Sequence, residues 1–300
     1  MSDGVWDTPL SLRATAGQAA AALADGIRIC SGHVVRNAVT AHSFLRTRSR
    51  DRRFHLIPYD ACRVINAIVA FATVIGLTVL VLDPHLTDWR ASVPQFLMPM
   101  FRFFNEIGKG GWILYGSALF VVLSLVRDLR EACPRICRHH WLRVATAFYV
   151  FASVGLAGML AAFLKQAIGR ARPSQFADVG VLAFDPFSGS ASWASFPSGH
   201  TTTIMAFVMA VALLTPRLRV ALLAAGFWIA FARLATGAHY PSDVIGGCAL
   251  GALVSWLLAR KLAQHRLVFR FGPDGALVPA RLGRSFVPPL SARRSRSRNP

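Results

Sequence analysis

Residues 143–164 read RVATAFYVFASVGLAGMLAAFL, a run that is apolar almost throughout and is followed at once by Lys165. A helix that crosses the hydrocarbon core of a bilayer needs about 20 such residues. Because that core holds no water to satisfy backbone amides, a run of this kind crosses it as an α-helix. The segment therefore predicts a membrane-spanning helix near the middle of the chain.

Five further apolar runs lie on either side of this segment. Together they predict an all-α, polytopic membrane protein with six transmembrane helices. The composition agrees, because 54% of the 300 residues are hydrophobic and only 16% are charged, whereas soluble domains carry about 25% charged residues. The further runs cover about 64–82, 111–126, 200–214, 219–236 and 243–259.

The stretch 90–110, RASVPQFLMPMFRFFNEIGKG, is rich in aromatic residues but too polar to span a membrane. Phe, Trp and Arg side chains suit the boundary between lipid and water. We therefore expect an interfacial helix between the first two spans.

The net charge of +19 comes from arginines at the two termini and in short links between apolar runs. This distribution is typical of the positive-inside rule and argues against a nucleic-acid partner. If the basic segments are all cytoplasmic, six spans alternate without contradiction and both termini lie in the cytoplasm. Three connections then face the other side of the membrane: 83–110, 165–199 and 237–242.

The chain is expected to divide into three parts: a cytoplasmic amino-terminal extension (1–62), a six-helix domain (63–262) and a basic cytoplasmic tail (263–300). The first residues, MSDGVWDTPL, lack the basic region and apolar core of a cleavable signal peptide, so the first span should remain in the mature protein. These features, with the high Ala and Arg content, suit a multi-pass protein of the bacterial inner membrane.

Two other patterns carry less information. Cys133 and Cys137, followed by His139 and His140, resemble a metal site faintly, and a basic link with incidental thiols is the favoured interpretation. The glycines between 246 and 251 allow close helix packing, within one chain or between chains. The oligomeric state stays open.

The first of three charged clusters on the non-cytoplasmic side is Lys165-QAIGRA-Arg172-Pro173. Residues seven apart in a helix lie nearly on one face, two turns apart. Lys165 and Arg172 are therefore predicted to project two cations toward one point, with the helix ending at Pro173. Taken alone, the pair could equally be basic residues that extend from a helix end to the interface.

The second cluster, Phe196-Pro-Ser-Gly-His-Thr201, stands at the start of the fourth span. A turn that leads into a helix presents free backbone N–H groups, and with the Ser198 hydroxyl these favour an anion. Gly199 lets the backbone approach a phosphate oxygen closely, and His200 is placed to transfer a proton. An ordinary helix cap beside an incidental histidine is the alternative.

The third cluster, Arg233-LATGA-His239-YPS-Asp243, joins the fifth and sixth spans. Arg233 can bind phosphate oxygens through two N–H groups. Because His239 and Asp243 are four residues apart, the carboxylate can accept from one ring nitrogen and leave the other free as a nucleophile or base. Interfacial anchoring of the helix ends is the alternative.

Lys-x6-Arg-Pro, Pro-Ser-Gly-His and Arg-x5-His-x3-Asp, in this order, resemble the signature of the type 2 phosphatidic acid phosphatase superfamily. The resemblance covers about residues 96–259 and includes FNEIGKGGW at 104–112. It departs from the family at Ala232, where the third motif usually has serine. The resemblance implies that family's six-helix bundle and a metal-independent phosphatase, without a cofactor, that acts on a lipid-linked phosphate at the periplasmic face.

The resemblance also implies a role for each matched residue. His239 would attack phosphorus and form a phosphohistidine intermediate, oriented by Asp243. His200 would protonate the leaving oxygen and then activate water. The phosphate oxygens would be bound by the remaining matched groups: Lys165, Arg172, Ser198, Gly199 and Arg233. No metal is implied, and the sequence offers no acidic cluster suited to Mg²⁺.

The substrate is left open among the lipids that the resemblance implies: undecaprenyl diphosphate, phosphatidylglycerol phosphate, phosphatidic acid and lipid A phosphate. The loop 174–196 is apolar and aromatic enough to cover a lipid entry. Three alternatives remain: a vanadate haloperoxidase, against which six spans argue, a non-catalytic lipid transporter or lipid-binding membrane protein on the same scaffold, and a structural membrane protein with a polybasic anchor.

Overall fold

The computed structural model describes residues 21, 23–29, 31–40, 60–129 and 133–280. Most of the predicted amino-terminal extension and the last twenty residues of the predicted tail lie outside this part. Residues 23–29 and 31–40 are helical. Within them, the Asn37 side chain donates to the carbonyl groups of Leu125 and Arg127, at 2.7 and 3.1 Å. The described piece of the extension is thereby attached to the end of the second predicted span.

The described chain is helical almost throughout. Its helices are α1 (Ala61–Val81), α2 (Leu86–Ala91), α3 (Met98–Ile107), α4 (Gly111–Val126), α5 (Pro134–Ile168), α6 (Phe176–Val179), α7 (Gly199–Leu214), α8 (Arg219–Ala235) and α9 (Pro241–Gln264). Two short strands, β1 (Phe269–Phe271) and β2 (Leu277–Pro279), follow as an antiparallel pair.

Five helical segments are long and apolar enough to cross a membrane. The remaining predicted span is α7, a shorter apolar helix of 16 residues. Its length of about 24 Å compares with about 30 Å of hydrocarbon core. The all-α, polytopic fold is confirmed, and six spans agree roughly with these helices. The five segments are Ala61–Ala91, Gln95–Val126, His139–Ile168, Pro216–Ala235 and Pro241–Gln264.

Helix α7 lies at the centre of the bundle, in contact with α5, α8 and α9. Ala206, Ala210 and Ala212 on α7 are fully buried, and such small side chains let neighbouring helices approach. The glycines of α9 pack within the chain: a β-carbon at Gly247 would lie 2.7 Å from the Ser198 carbonyl oxygen. The amino-terminal ends of α7 and α9 are therefore side by side.

Helix α5 ends earlier than predicted. Its last residue is Ile168, and Gly169 follows with a left-handed backbone (φ 63°) whose N–H donates to the Lys165 carbonyl oxygen at 3.0 Å. Arg172 lies beyond the helix in an extended conformation. The prediction that Lys165 and Arg172 share one helix face was therefore wrong, because the glycine stops the helix before Pro173.

The stretch predicted to be interfacial contains helix α3, which packs on α8. Phe101 of α3 is 5% exposed and clusters with Ala232 and Ala235. Its ring centroid lies 6.3 Å from that of Trp228. The helix itself is confirmed, and its position at the membrane surface stays a prediction.

The β-hairpin was not predicted, because it falls in what the sequence suggested was a basic tail. Phe269 of β1 is fully buried, and its ring centroid lies 5.1 Å from that of Tyr149 on α5. The first residues of this tail therefore close one end of the bundle.

Candidate active site

The three charged clusters meet where α7 and α9 begin. Lys165 reaches this point from the last turn of α5, and its ammonium group rests on Gly199. A β-carbon at Gly199 would lie 3.4 Å from Lys165 Nζ, a contact with little room to spare. Glycine at this position therefore lets a cation approach the first turn of α7.

Lys165, Arg172 and Arg233 form a group of three half-buried cations that repel one another. In the described part of the chain, no hydrogen bond or salt bridge engages their side chains. The Nε atoms of Arg172 and Arg233 are buried without a hydrogen-bond partner. Burying charge in this way is costly unless an anion compensates it. The arrangement is thus suited to bind an anion with several oxygens.

The first turn of α7 supplies neutral donors to the same place. Ser198 is fully buried, and its hydroxyl oxygen accepts from the Thr201 hydroxyl at 3.0 Å, which leaves the Ser198 proton for donation. The Thr202 hydroxyl donates to the Ser198 carbonyl group at 2.8 Å and holds the turn in shape. With the free N–H groups of the helix start, Ser198 adds uncharged donors to the three cations.

His239 lies in the connection between α8 and α9 and is 1% exposed. Its Nδ1 is 3.5 Å from Asp243 Oδ2, at the outer limit of a hydrogen bond, and has no closer partner. The spacing predicted from the sequence therefore brings the pair together, and Nδ1 faces the carboxylate. Nε2 is the ring nitrogen that remains for chemistry.

Burial lowers the pKa of His239 from 6.5 to about 4. The Asp243 carboxylate opposes this effect, while the charges of Lys165 and Arg233 add to it. The imidazole is therefore neutral at neutral pH, and a neutral imidazole is the form that can act as a nucleophile.

His200 is half-buried in the first turn of α7 and interacts electrostatically with His239, Lys165 and Arg233. The two histidines thus face the same cationic group, His200 from the first turn of α7 and His239 from the connection between α8 and α9. A small pocket beside His200 lies between α3, α7 and α8. It is lined by Asn105, Gly108, His200, Thr201, Ile204, Ile229 and Arg233.

Two buried residues at the site were missed from the sequence. Arg170 is 3% exposed, and its Nη1 donates to Asp243 Oδ1 at 2.8 Å. Its Nη2 donates to Oδ2 of Asp83, which is fully buried, at 2.7 Å. Arg170 lies within the first charged cluster, residues 165–173, and Asp83 directly follows the first apolar run. For both residues, a charge at the edge of a predicted span was the pattern that could have indicated a functional role.

Three more residues complete this network. The Ser195 hydroxyl donates to Asp243 Oδ2 at 2.5 Å, and the Tyr240 backbone N–H donates to the same atom at 2.9 Å. Ser242 accepts from Arg170 Nη1 at 2.6 Å through its hydroxyl oxygen, which donates in turn to Asp83. The carboxylate of Asp243 is therefore held on both oxygens.

Among the described residues, no group of three His, Cys, Asp or Glu side chains is arranged to hold a metal ion. The four cysteines described form no disulfide bond with one another: Cys62, Cys133, Cys137 and Cys248. Lys165, Arg172 and Arg233 carry the positive charge of the group beside His239.

Comparison with known proteins finds one family and several relatives. The model of the PAP2 superfamily matches residues 146–266. A lipid A 1-phosphatase of Rhizobium johnstonii is 39% identical over 214 residues, 70% of this chain and 85% of that protein. A lipid A 1-phosphatase of Rhizobium etli is 52% identical over 134 residues, 45% of this chain and 58% of that protein. A crystal structure of a transmembrane PAP2 type phosphatidylglycerolphosphate phosphatase from Bacillus subtilis aligns with a TM-score of 0.40 and 15% identity, over 75% of this chain and 93% of that one.

Proposed function

The chain belongs to the PAP2 superfamily and is a membrane lipid phosphatase of that class, and we propose that it removes the 1-phosphate of a lipid A-type glycolipid through a phosphohistidine intermediate. Two relatives that bear the name lipid A 1-phosphatase support this substrate, and the chain covers 85% of the first. The observation that carries the proposal is that three cations, which form no salt bridge with any described residue, lie beside the neutral, buried His239.

Binding comes first. Lys165, Arg172 and Arg233 neutralise the charge of the phosphate oxygens, and the Ser198 hydroxyl and the Gly199 amide donate to them. Donors fixed in place before the reaction stabilise the charge that develops on these oxygens in the transition state. Because the charges come from side chains, the proposed reaction takes place without a metal ion.

Two displacements at phosphorus follow. Nε2 of His239 attacks phosphorus with its lone pair, and the bond from phosphorus to the sugar oxygen breaks. His200 gives that oxygen a proton, because in the proposed complex the negative charge of the phosphate offsets the cations around His200 and favours its protonated form. His200, now neutral, takes a proton from water, whose oxygen attacks phosphorus and breaks the P–N bond. Inorganic phosphate leaves, and both histidines return to their starting states.

Asp243 assists His239, the proposed nucleophile. The imidazole of His239 acquires positive charge as its nitrogen bonds to phosphorus, and the carboxylate 3.5 Å from Nδ1 stabilises that charge. The same carboxylate selects the tautomer in which Nε2 carries the lone pair. We therefore assign Asp243 the role of orienting and charge-balancing His239.

The proposed location is the bacterial inner membrane, with both termini in the cytoplasm and the site on the periplasmic face. The arginine distribution supports this orientation. The site residues support it too, since Lys165 and Arg233 lie in the last turns of α5 and α8 while Ser198 and Asp243 lie at the starts of α7 and α9. All of these helix ends fall on one side of a six-span arrangement.

The test is phosphate release by the purified protein in detergent from synthetic lipid A carrying phosphate at position 1, at position 4′ or at both. Phosphatidylglycerol phosphate, undecaprenyl diphosphate and phosphatidic acid complete the panel. His239→Ala is the blank, and His139→Ala, a change outside the site, is the matched control. Release from the 1-phosphate alone, present in the control and absent in the blank, is expected.

Each other outcome has a distinct meaning. Release from a different lipid would replace the proposed substrate and leave the phosphatase in place. Binding of lipid A by a folded protein without release from any lipid would favour a lipid-binding protein on this scaffold. Activity in His239→Ala would overturn the assignment of the nucleophile.

A further inference from the structure

A buried network of three charged residues lies next to His239, the proposed nucleophile. Asp83, at the end of the first membrane helix, contacts Arg170, and Arg170 contacts Asp243, at 2.7 and 2.8 Å. Asp243 in turn faces His239. The exposed side-chain fraction is 0% for both aspartates and 3% for Arg170. Three segments that are far apart in the sequence are thus joined through charge behind one imidazole.

The buried network of Asp83, Arg170 and Asp243 has a balance of charge that is unusual for a purely structural element. Two carboxylates share one guanidinium group, so the buried network carries one net negative charge. Burying an excess charge costs free energy, and well-packed apolar residues often stabilise a fold as well as a buried ion pair does. The excess lies next to His239, where the proposed reaction creates a positive charge. That coincidence points to a role in the reaction.

We propose that Arg170 and Asp83 are positioning residues for the nucleophile. Arg170 holds Oδ1 of Asp243 so that Oδ2 faces His239, and Asp83 balances Arg170 so that Asp243 keeps its negative charge toward the imidazole. The inference rests on the proposed phosphohistidine chemistry and adds two residues to it. Neither residue touches the reacting atoms.

Arg170 has further contacts of its own. Its Nε and Nη2 both donate to the Val181 carbonyl oxygen, at 3.2 and 3.1 Å. Its guanidinium carbon lies 4.5 Å from the ring centroid of Tyr240. A planar group with five donors can meet all these partners at once, whereas lysine cannot. These contacts hold the guanidinium group in the orientation in which it donates to Oδ1 of Asp243.

Asp83 brings the first membrane helix into the site. It lies outside the region 146–266 that the family model matches. Besides Arg170, its carboxylate accepts from the backbone N–H of Ser242 at 3.1 Å and from the Ser242 hydroxyl at 2.5 Å. Ser242 directly precedes Asp243, so Asp83 fixes the first turn of α9 as well as the guanidinium group.

The test changes the charge near His239 by substituting Asp83 or Arg170. The two substitutions should shift the protonation of the His239 imidazole in opposite directions. The groups that face His239 are Asp243, Lys165, Arg233 and His200. Asp83→Asn makes the surroundings more positive and so disfavours the protonated imidazole. Arg170→Gln makes them more negative and favours it. A residue with a merely structural role would not shift the two variants in opposite directions.

The experiment measures kcat and KM from pH 2.5 to 8 on the lipid phosphate that the wild type hydrolyses, so that the range extends well below the pKa of about 4 for His239. We expect the acid limb of kcat/KM to move to lower pH in Asp83→Asn and to higher pH in Arg170→Gln. In Asp83→Asn and in Arg170→Lys, kcat should fall about 10- to 100-fold, by analogy with the residues that orient the histidine ligands of metal sites. KM should change less than kcat, because the phosphate-binding cations are untouched.

Controls separate this effect from misfolding. Asp88→Asn removes an exposed carboxylate five residues from Asp83, and Arg217→Gln removes an exposed cation from the link between α7 and α8. Both should keep the wild-type profile. The double variant Asp83→Asn with Arg170→Gln restores the net charge and should bring the limb back toward the wild type. If Arg170→Gln does not fold, the direction in which the acid limb moves in Asp83→Asn decides whether the positioning role is correct.

Coincident acid limbs in wild type, Asp83→Asn and Arg170→Gln, with active wild-type protein, would overturn the positioning role and leave the proposed function standing. A fall in kcat with no shift, and with an equal fall in thermal stability, would show a structural role only and would also overturn it. A wild type inactive on every lipid phosphate would instead overturn the proposed function, and this inference with it.

Discussion

Gly247 of α9 lies directly against Ser198 at the start of α7, so that a β-carbon at Gly247 would be 2.7 Å from the Ser198 carbonyl oxygen. The Ser198 backbone N–H donates to the carbonyl oxygen of Asp243 at 3.0 Å. The two helix starts are therefore held together through their backbones. This contact places the anion-binding turn of one helix beside the His239–Asp243 pair of the other.

Gly247→Ala is expected to lower both stability and activity. The added methyl group forces α9 away from α7, and overpacking of this kind typically costs about 1–3 kcal/mol. The thermal midpoint and kcat in detergent would measure the two effects. Gly116→Ala, in a helix where a β-carbon meets nothing within 4 Å, is the matched control and should change neither. Wild-type stability in Gly247→Ala would contradict the close contact.

Replacing His200 should slow hydrolysis most for substrates that have a poor leaving group. If His200 protonates the leaving oxygen, His200→Gln slows hydrolysis of a sugar phosphate strongly, because an alkoxide leaves poorly without a proton. The proposed range for such a general acid is about 10²- to 10⁴-fold. With p-nitrophenyl phosphate, whose leaving group needs no proton, the loss in kcat/KM should be much smaller, because kcat/KM reports the first displacement and not the later attack of water, in which His200 also acts. Equal losses on both substrates would argue against the general acid.

The titration of His239 predicts how stability depends on pH. Burial lowers the pKa of His239 to about 4, below the value of 6.5 that the unfolded chain has. The unfolded state therefore binds more protons between these values, and the His239 contribution is complete above pH 6.5 and lost as pH falls toward 4. His239→Gln should reduce the fall in thermal midpoint between pH 7 and pH 4.5. Identical falls in both proteins would contradict the low pKa.

Activity should survive metal chelation. The positive charge at the site is supplied by Lys165, Arg172 and Arg233, so millimolar EDTA is expected to leave phosphate release unchanged. The measurement is the initial rate with EDTA, and again after Mg²⁺ or Zn²⁺ is added in excess. Activity that EDTA abolishes and Mg²⁺ restores would show that the mechanism includes a metal ion.

Much of the fold could be predicted because the signals for it are local. Apolar runs define spans one by one, and the predicted runs agree with the helices to within a few residues at most ends. The end of α5 is an exception. A β-carbon at Gly169 would collide with the backbone of Asp185, and no local pattern shows that contact. The hairpin was missed since its burial depends on Tyr149, more than a hundred residues away.

What the sequence alone determined is the set of helices and the three motifs, since hydropathy and the spacing of charged residues act over a few turns of chain. Only the tertiary structure decided how the charges pair. Arg170 and Asp83 are 87 residues apart and Arg170 and Asp243 are 73 apart, so their pairing depends on how the helices pack. Among the described residues, the same packing brings no salt-bridge partner to Lys165, Arg172 or Arg233, and a buried cation without a partner is stabilised when an anion binds.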